Sequence, residues 1–149
     1  MTARQALIAA MLLSSLLVAC GARADTPATG STGAAPAGTG GPVVAHLTEW
    51  LVVATPSAAK PGTIAFRVRN EGALPHDFVV IRSDLAANRL PTAGGIVDEQ
   101  QVTVVKKGRP LTPGDSEEIS VDLPKGRYVL ICNVIGHYNS GQFAAFSVE

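Results

Sequence analysis

Cys132, His137 five positions later and His76 far upstream are the residues of this chain whose types could do chemistry together. One thiolate and two imidazoles form a ligand set that holds a copper ion able to pass a single electron. The run from Cys132 ends in Gln142, where a thioether would complete the commoner version of such a site. The chain's only methionines, Met1 and Met11, lie within its first nineteen residues.

Each residue also has a plainer reading. Cys132 is the sole cysteine beyond Cys20. In an exported protein, one leftover thiol indicates intermolecular pairing, a reactive thiol or a metal ligand; otherwise it is a small apolar filler at a strand end. A lone histidine is more often a satisfied polar group in a turn, and His46 is read that way, as an outward-facing strand residue. His137 differs because the loop that joins it to Cys132 contains Gly136, where the chain can turn and bring both side chains onto one ion. His76 follows Asn70-Glu71-Gly72-Ala73-Leu74-Pro75 at the start of another strand. It is the conjunction of the three that points to a metal.

The elements that must position them are β throughout. Apolar, β-branched and alternating runs predict strands at His46–Val53, Thr63–Arg69, Asp77–Arg82, Gln101–Val105, Glu118–Leu123, Arg127–Cys132 and Gln142–Val148. Lys60-Pro61-Gly62, Asn70-Glu71-Gly72, Pro113-Gly114-Asp115 and Pro124-Lys125-Gly126 supply the turn chemistry between them. About seven short strands favour an antiparallel β-sandwich over an α/β design, with loops gathered at the ends of the sheets. There the strand ends bearing His76 and Cys132 can meet. Ser83 to Leu90 predicts a short helix, capped by Ser83 or Asp84 and ended by Pro91 and Gly94-Gly95.

The N-terminus sets the compartment. Arg4 followed by an uncharged apolar run from Ala6 to Ala19 has the form of an export signal, too short to span a membrane. Leu17-Val18-Ala19-Cys20 resembles a bacterial lipobox, which would lipidate Cys20; Ala22-Arg23-Ala24 offers an ordinary cleavage site just beyond it. The expected organisation is therefore a signal segment over 1–19, a flexible Ala/Gly/Thr/Pro-rich tether over 20–42 and one folded domain over 43–149. Within 43–149, ten Lys and Arg stand against eleven Asp and Glu, scattered, so no basic stripe recommends nucleic acid.

Two motifs carry a family resemblance: Asn70-x-Gly72-x-x-Pro75-His76-Asp77-Phe78, and Tyr128-Val-Leu-Ile-Cys132-Asn-Val-Ile-Gly136-His137-Tyr138. With them, the stretch from Val43 to Glu149 resembles the cupredoxins, the small blue-copper electron carriers of the plastocyanin and azurin kind. The resemblance implies a Greek-key β-sandwich holding one type 1 copper ion on His76, Cys132 and His137. The four residues between Cys132 and His137 look like the longer-loop members. Gln142 stands at or near the usual axial Met and is the axial candidate, as in stellacyanin-like members, unless it merely begins the last strand. Asp77 stands where the family commonly has Asn. It and Asn70 are candidates for the hydrogen bonds that orient the ligands.

The expected function is an extracytoplasmic electron carrier, periplasmic or at the cell surface and anchored as a lipoprotein. It would be a monomer that catalyses no reaction itself and exchanges electrons with redox proteins such as cytochromes or membrane oxidoreductases. Copper enzymes related to the family need further domains and histidines, and only His46 is left over. A copper-delivery protein using the same ligands, and a metal-free sandwich that binds partners, remain the alternatives.

Overall fold

From Val43 the side chains alternate between buried and half-buried, as they must in a strand with one face on a core. The computed structural model describes residues 40–149. The predicted export signal, Cys20 and the tether up to residue 39 lie outside the described residues.

Eleven strands follow in order: β1 Val43–Thr48, β2 Leu51–Thr55, β3 Ala58–Ala59, β4 Gly62–Asn70, β5 Val79–Arg82, β6 Thr92–Ala93, β7 Ile96–Val97, β8 Thr103–Lys107, β9 Ser116–Leu123, β10 Gly126–Ile131 and β11 Phe143–Val148. A single 3₁₀ turn, Tyr138–Ser140, lies between the last two. One sheet has the order β2-β1-β4-β9 and the other β3-β11-β10-β5-β8, with β6 and β7 forming a separate two-stranded ribbon. The main core joins the two sheets: Ala45, Leu47, Phe66, Val68 and Ile119 of the first pack with Val80, Tyr128, Leu130 and Phe146 of the second. A second cluster, with Val79, Ile81, Val129, Ile131 and Tyr138, covers the outer face of β5 and β10 beneath the ribbon. Those two strands are thus buried on both faces, which is why they read as continuous apolar runs rather than alternating ones.

The sandwich departs from the expected form in three ways. Its sheets are mixed rather than antiparallel throughout, because β1 pairs with β4 and β3 with β11 in parallel. The predicted strand His46–Val53 is a hairpin that folds back at Glu49 and Trp50, with Trp50 in the left-handed region at φ 66°. No helix forms over Ser83–Leu90. Ser83 Oγ instead accepts the Leu85 N–H, and the Tyr138 hydroxyl binds that segment by accepting from Leu90 N and donating to Ala87 O. A segment of eight residues ending at a proline is too short to propagate a helix against such competition.

Candidate metal centre

His76 is placed by β4 and the loop that follows it. Asn70, wholly buried at the end of β4, donates from Nδ2 to Leu74 O and Leu111 O and accepts the Gly72 N–H at Oδ1. All its polar capacity goes into shaping the loop, so its influence on His76 runs through the backbone. His76 then exchanges both backbone hydrogen bonds with Leu111. Cys132 follows β10, its N–H donating to Gln142 O. From there the chain turns at Gly136, where φ is 83°, and closes through Gln142 N to His137 O.

These loops converge on one buried point. His76 Nδ1 lies 3.2 Å from His137 Nδ1 and 3.8 Å from Cys132 Sγ, and His137 Nδ1 lies 3.4 Å from the same sulfur. His76 and Cys132 are 0% exposed and His137 only 6%. They are the one group of three or more His, Cys, Asp or Glu side chains among the described residues arranged to hold a metal.

Gln142 is also wholly buried in the site: its Nε2 donates to Thr48 O at 2.7 Å and lies 3.0 Å from His76 Nδ1. The amide's two N–H groups thus face Thr48 O and His76 Nδ1, while its Oε1 has no partner. Asp77 ties the two ligand loops together. Its backbone N–H donates to Cys132 Sγ at 3.4 Å, and its carboxylate Oδ1 accepts the Asn133 N–H.

Burial sets the electrostatics. It pushes the Cys132 thiol up to about 12. It also holds His76 below the usual imidazole value, helped by His137 and opposed by Glu49 and Asp77. A neutral imidazole has a lone pair on one nitrogen, and a thiol held protonated here must give up its proton to bind a metal.

The dimensions fit a metal ion. A triangle with sides 3.2, 3.4 and 3.8 Å has a circumradius of about 2.0 Å. Bonds from first-row metal ions to imidazole nitrogen and thiolate sulfur run to about 2.0–2.3 Å. Gln142 Oε1, on a side chain next to His76, is buried without a hydrogen-bond partner.

Two residues of this site escape sequence reading. Glu49 and Trp50, at the β1–β2 turn, sit inside an apolar run with none of the Gly, Asn or Pro that marks a turn. Yet Glu49 Oε1 reaches the loop before His76, accepting N–H bonds from Ala73 and Leu74, and lies 3.8 Å from His76 Nε2. The Trp50 indole meets the His137 ring edge-on, with centroids 5.3 Å apart. Together with Thr48 O on Gln142, this turn touches three of the four residues. His46 stays outside the site, on the outer face of β1 with its Nδ1 2.9 Å from Glu71 Oε1.

No family model and no curated protein sequence matches the chain. Solved structures do. Auracyanin A, a "blue" copper protein from the green thermophilic photosynthetic bacterium Chloroflexus aurantiacus, is 22% identical over 73% of this chain and all of its own, with a TM-score of 0.54. The reduced auracyanin of Roseiflexus castenholzii is 20% identical over 71% of this chain and 94% of its own, also at 0.54. Rusticyanin from Thiobacillus ferrooxidans is 18% identical over 72% and 75%, again at 0.54. The fold of the described residues is thus the cupredoxin β-sandwich.

Proposed function

We propose that this cupredoxin-fold chain is a type 1 copper protein that carries single electrons between redox partners outside the cytoplasm. The observation that carries this reading is the closed triangle of His76 Nδ1, His137 Nδ1 and Cys132 Sγ, sized for one ion and shut away from water. Auracyanin A's own description as a "blue" copper protein supports the choice of metal. Copper, when bound, supplies a one-electron couple.

The chain's part is to keep the donors still. Cys132 and His137 are held by backbone bonds to and from Gln142, His76 by its bridge to Leu111, and the two ligand loops by Asp77. A donor set fixed from several directions changes little between oxidation states, so little rearrangement opposes transfer. Gln142, buried beside His76, would supply its amide oxygen once the amide is turned to the ion; being harder than a thioether, that oxygen would favour the oxidised ion. We assign it as the axial ligand.

The electron leaves through Trp50. His137 is nearly covered, whereas Trp50, packed on it, is 47% exposed, and Leu51 next in the chain and Leu74 and Ile135 on the ligand loops are exposed apolar side chains. Exposed apolar side chains at the loops suit brief encounters with a cytochrome or a membrane oxidoreductase, which bury little area. A lipidated Cys20 and the tether would hold the domain, as a monomer, near membrane partners. A closed site at the core of the loops also favours a carrier over a delivery protein, which must open to give its metal away. Reversible one-electron titration of the copper-loaded protein tests the reading: full recovery over repeated cycles is expected, and copper lost on each reduction would refute it.

A further inference from the structure

His76 presents Nδ1 to the centre, since that atom faces both His137 Nδ1 and Cys132 Sγ. A ring that offers a bare Nδ1 must carry its proton on Nε2. That nitrogen belongs to a wholly buried side chain and has no hydrogen-bond partner. Within reach stands the Glu49 carboxylate, with Oε1 3.8 Å away. At that separation the contact acts through charge rather than as a hydrogen bond.

Two features show that the carboxylate is built into place. Its Oε1 accepts N–H bonds from Ala73 at 2.6 Å and Leu74 at 3.0 Å, so it is anchored to the loop that carries His76. The space around the pair is also left open by Gly72. A Cβ there would lie 2.5 Å from Glu49 Oε1 and 2.8 Å from His76 Nε2.

We infer that Glu49 is a positioning residue of the metal centre, its negative charge holding the His76 proton on Nε2 so that Nδ1 is presented to the ion. A carboxylate behind a ligating imidazole fixes its tautomer and raises its basicity. The same charge favours the more positive oxidised ion. The inference rests on the copper reading, but its first test does not.

The full-length protein and its Glu49→Gln variant are compared by ¹⁵N NMR of the metal-free histidines, by copper(II) affinity against a chelator, and by redox titration. Gln keeps an oxygen for Ala73 and Leu74 and removes only the charge. Wild-type His76 is expected as the Nε2–H tautomer, with Glu49→Gln shifting it toward Nδ1–H. Copper(II) binding should weaken in the variant, by at most the about 10–100-fold that loss of a hydrogen-bonded outer-shell partner costs. The potential should rise by about 59 mV for each tenfold by which copper(II) binding falls more than copper(I) binding. A wild-type His76 already protonated on Nδ1, or a Gln variant with unchanged tautomer, affinity and potential, overturns the inference and leaves Glu49 a loop anchor. If Glu49→Ala impairs the site and Gln restores it fully, the same conclusion follows. Failure of the wild type to bind copper sinks the copper reading instead, and the tautomer measurement still decides the role of Glu49.

Discussion

Replacing Gly72 with Ala sets two effects of known size against each other. Gly72 is not among the glycines with positive φ, so a side chain meets no backbone strain there. On that ground alone, Ala should stabilise the protein by about 0.4–1 kcal/mol, through lost freedom of the unfolded chain. Against this stands the new methyl group, 2.5 Å from Glu49 Oε1 and 2.8 Å from His76 Nε2. Glu49 is partly exposed and can yield, whereas His76 is wholly buried and hydrogen-bonded through its backbone to Leu111. Forcing a methyl group into such a packed site costs about 1–3 kcal/mol. The clash therefore wins, and Gly72→Ala is expected to be less stable by about 1–2 kcal/mol. Urea unfolding of the metal-free protein measures this as a lower midpoint at unchanged slope. Adding Glu49→Ala removes the shorter contact but not the one to His76, so Gly72→Ala should remain costly in that background. A Gly72→Ala protein as stable as wild type, or more so, would refute the packing described around His76.

Three further outcomes are expected. Gln142→Met should raise the potential, because a thioether favours the reduced ion more than an amide oxygen does; an unchanged or lower value would remove Gln142 from the axial position. Because burial pushes the Cys132 thiol up to about 12, it is protonated at neutral pH and must lose that proton to bind metal. Copper uptake should then release about one proton per ion at pH 7, with affinity rising about tenfold per pH unit below the thiol pKa. Calorimetry in buffers of different ionisation enthalpy measures the release, and none would show that Cys132 does not bind as thiolate. Trp50→Gly should slow electron exchange with a small redox protein while leaving the visible spectrum of the copper protein unchanged; an unaltered rate would place the exit elsewhere.

Strands with one face on the core were legible because their burial is written as alternation, as in Gly62–Asn70 and Ser116–Leu123. His76, Cys132 and His137 were legible by type and by their places at strand ends, and the fold brings them onto one point. What escaped depends on contacts distant in sequence. The two-residue strands β3, β6 and β7 are too short to have a pattern of their own. The segment from Ser83 to Leu90 looks helical locally, but its backbone is bound by Tyr138, about fifty residues on. The Glu49–Trp50 turn was hidden because a tryptophan with positive φ is what turn chemistry would not choose. Non-glycine residues held in that region cluster at functional sites, and Trp50 lies against His137.

Visible absorption of the full-length protein loaded with copper(II) tests the central claim most directly. One ion per chain should give an intense blue colour from thiolate-to-copper charge transfer, vanishing on one-electron reduction, returning on oxidation, and absent from Cys132→Ser. Weak colour with ready loss of copper to a chelator, or no stoichiometric uptake at all, would contradict it.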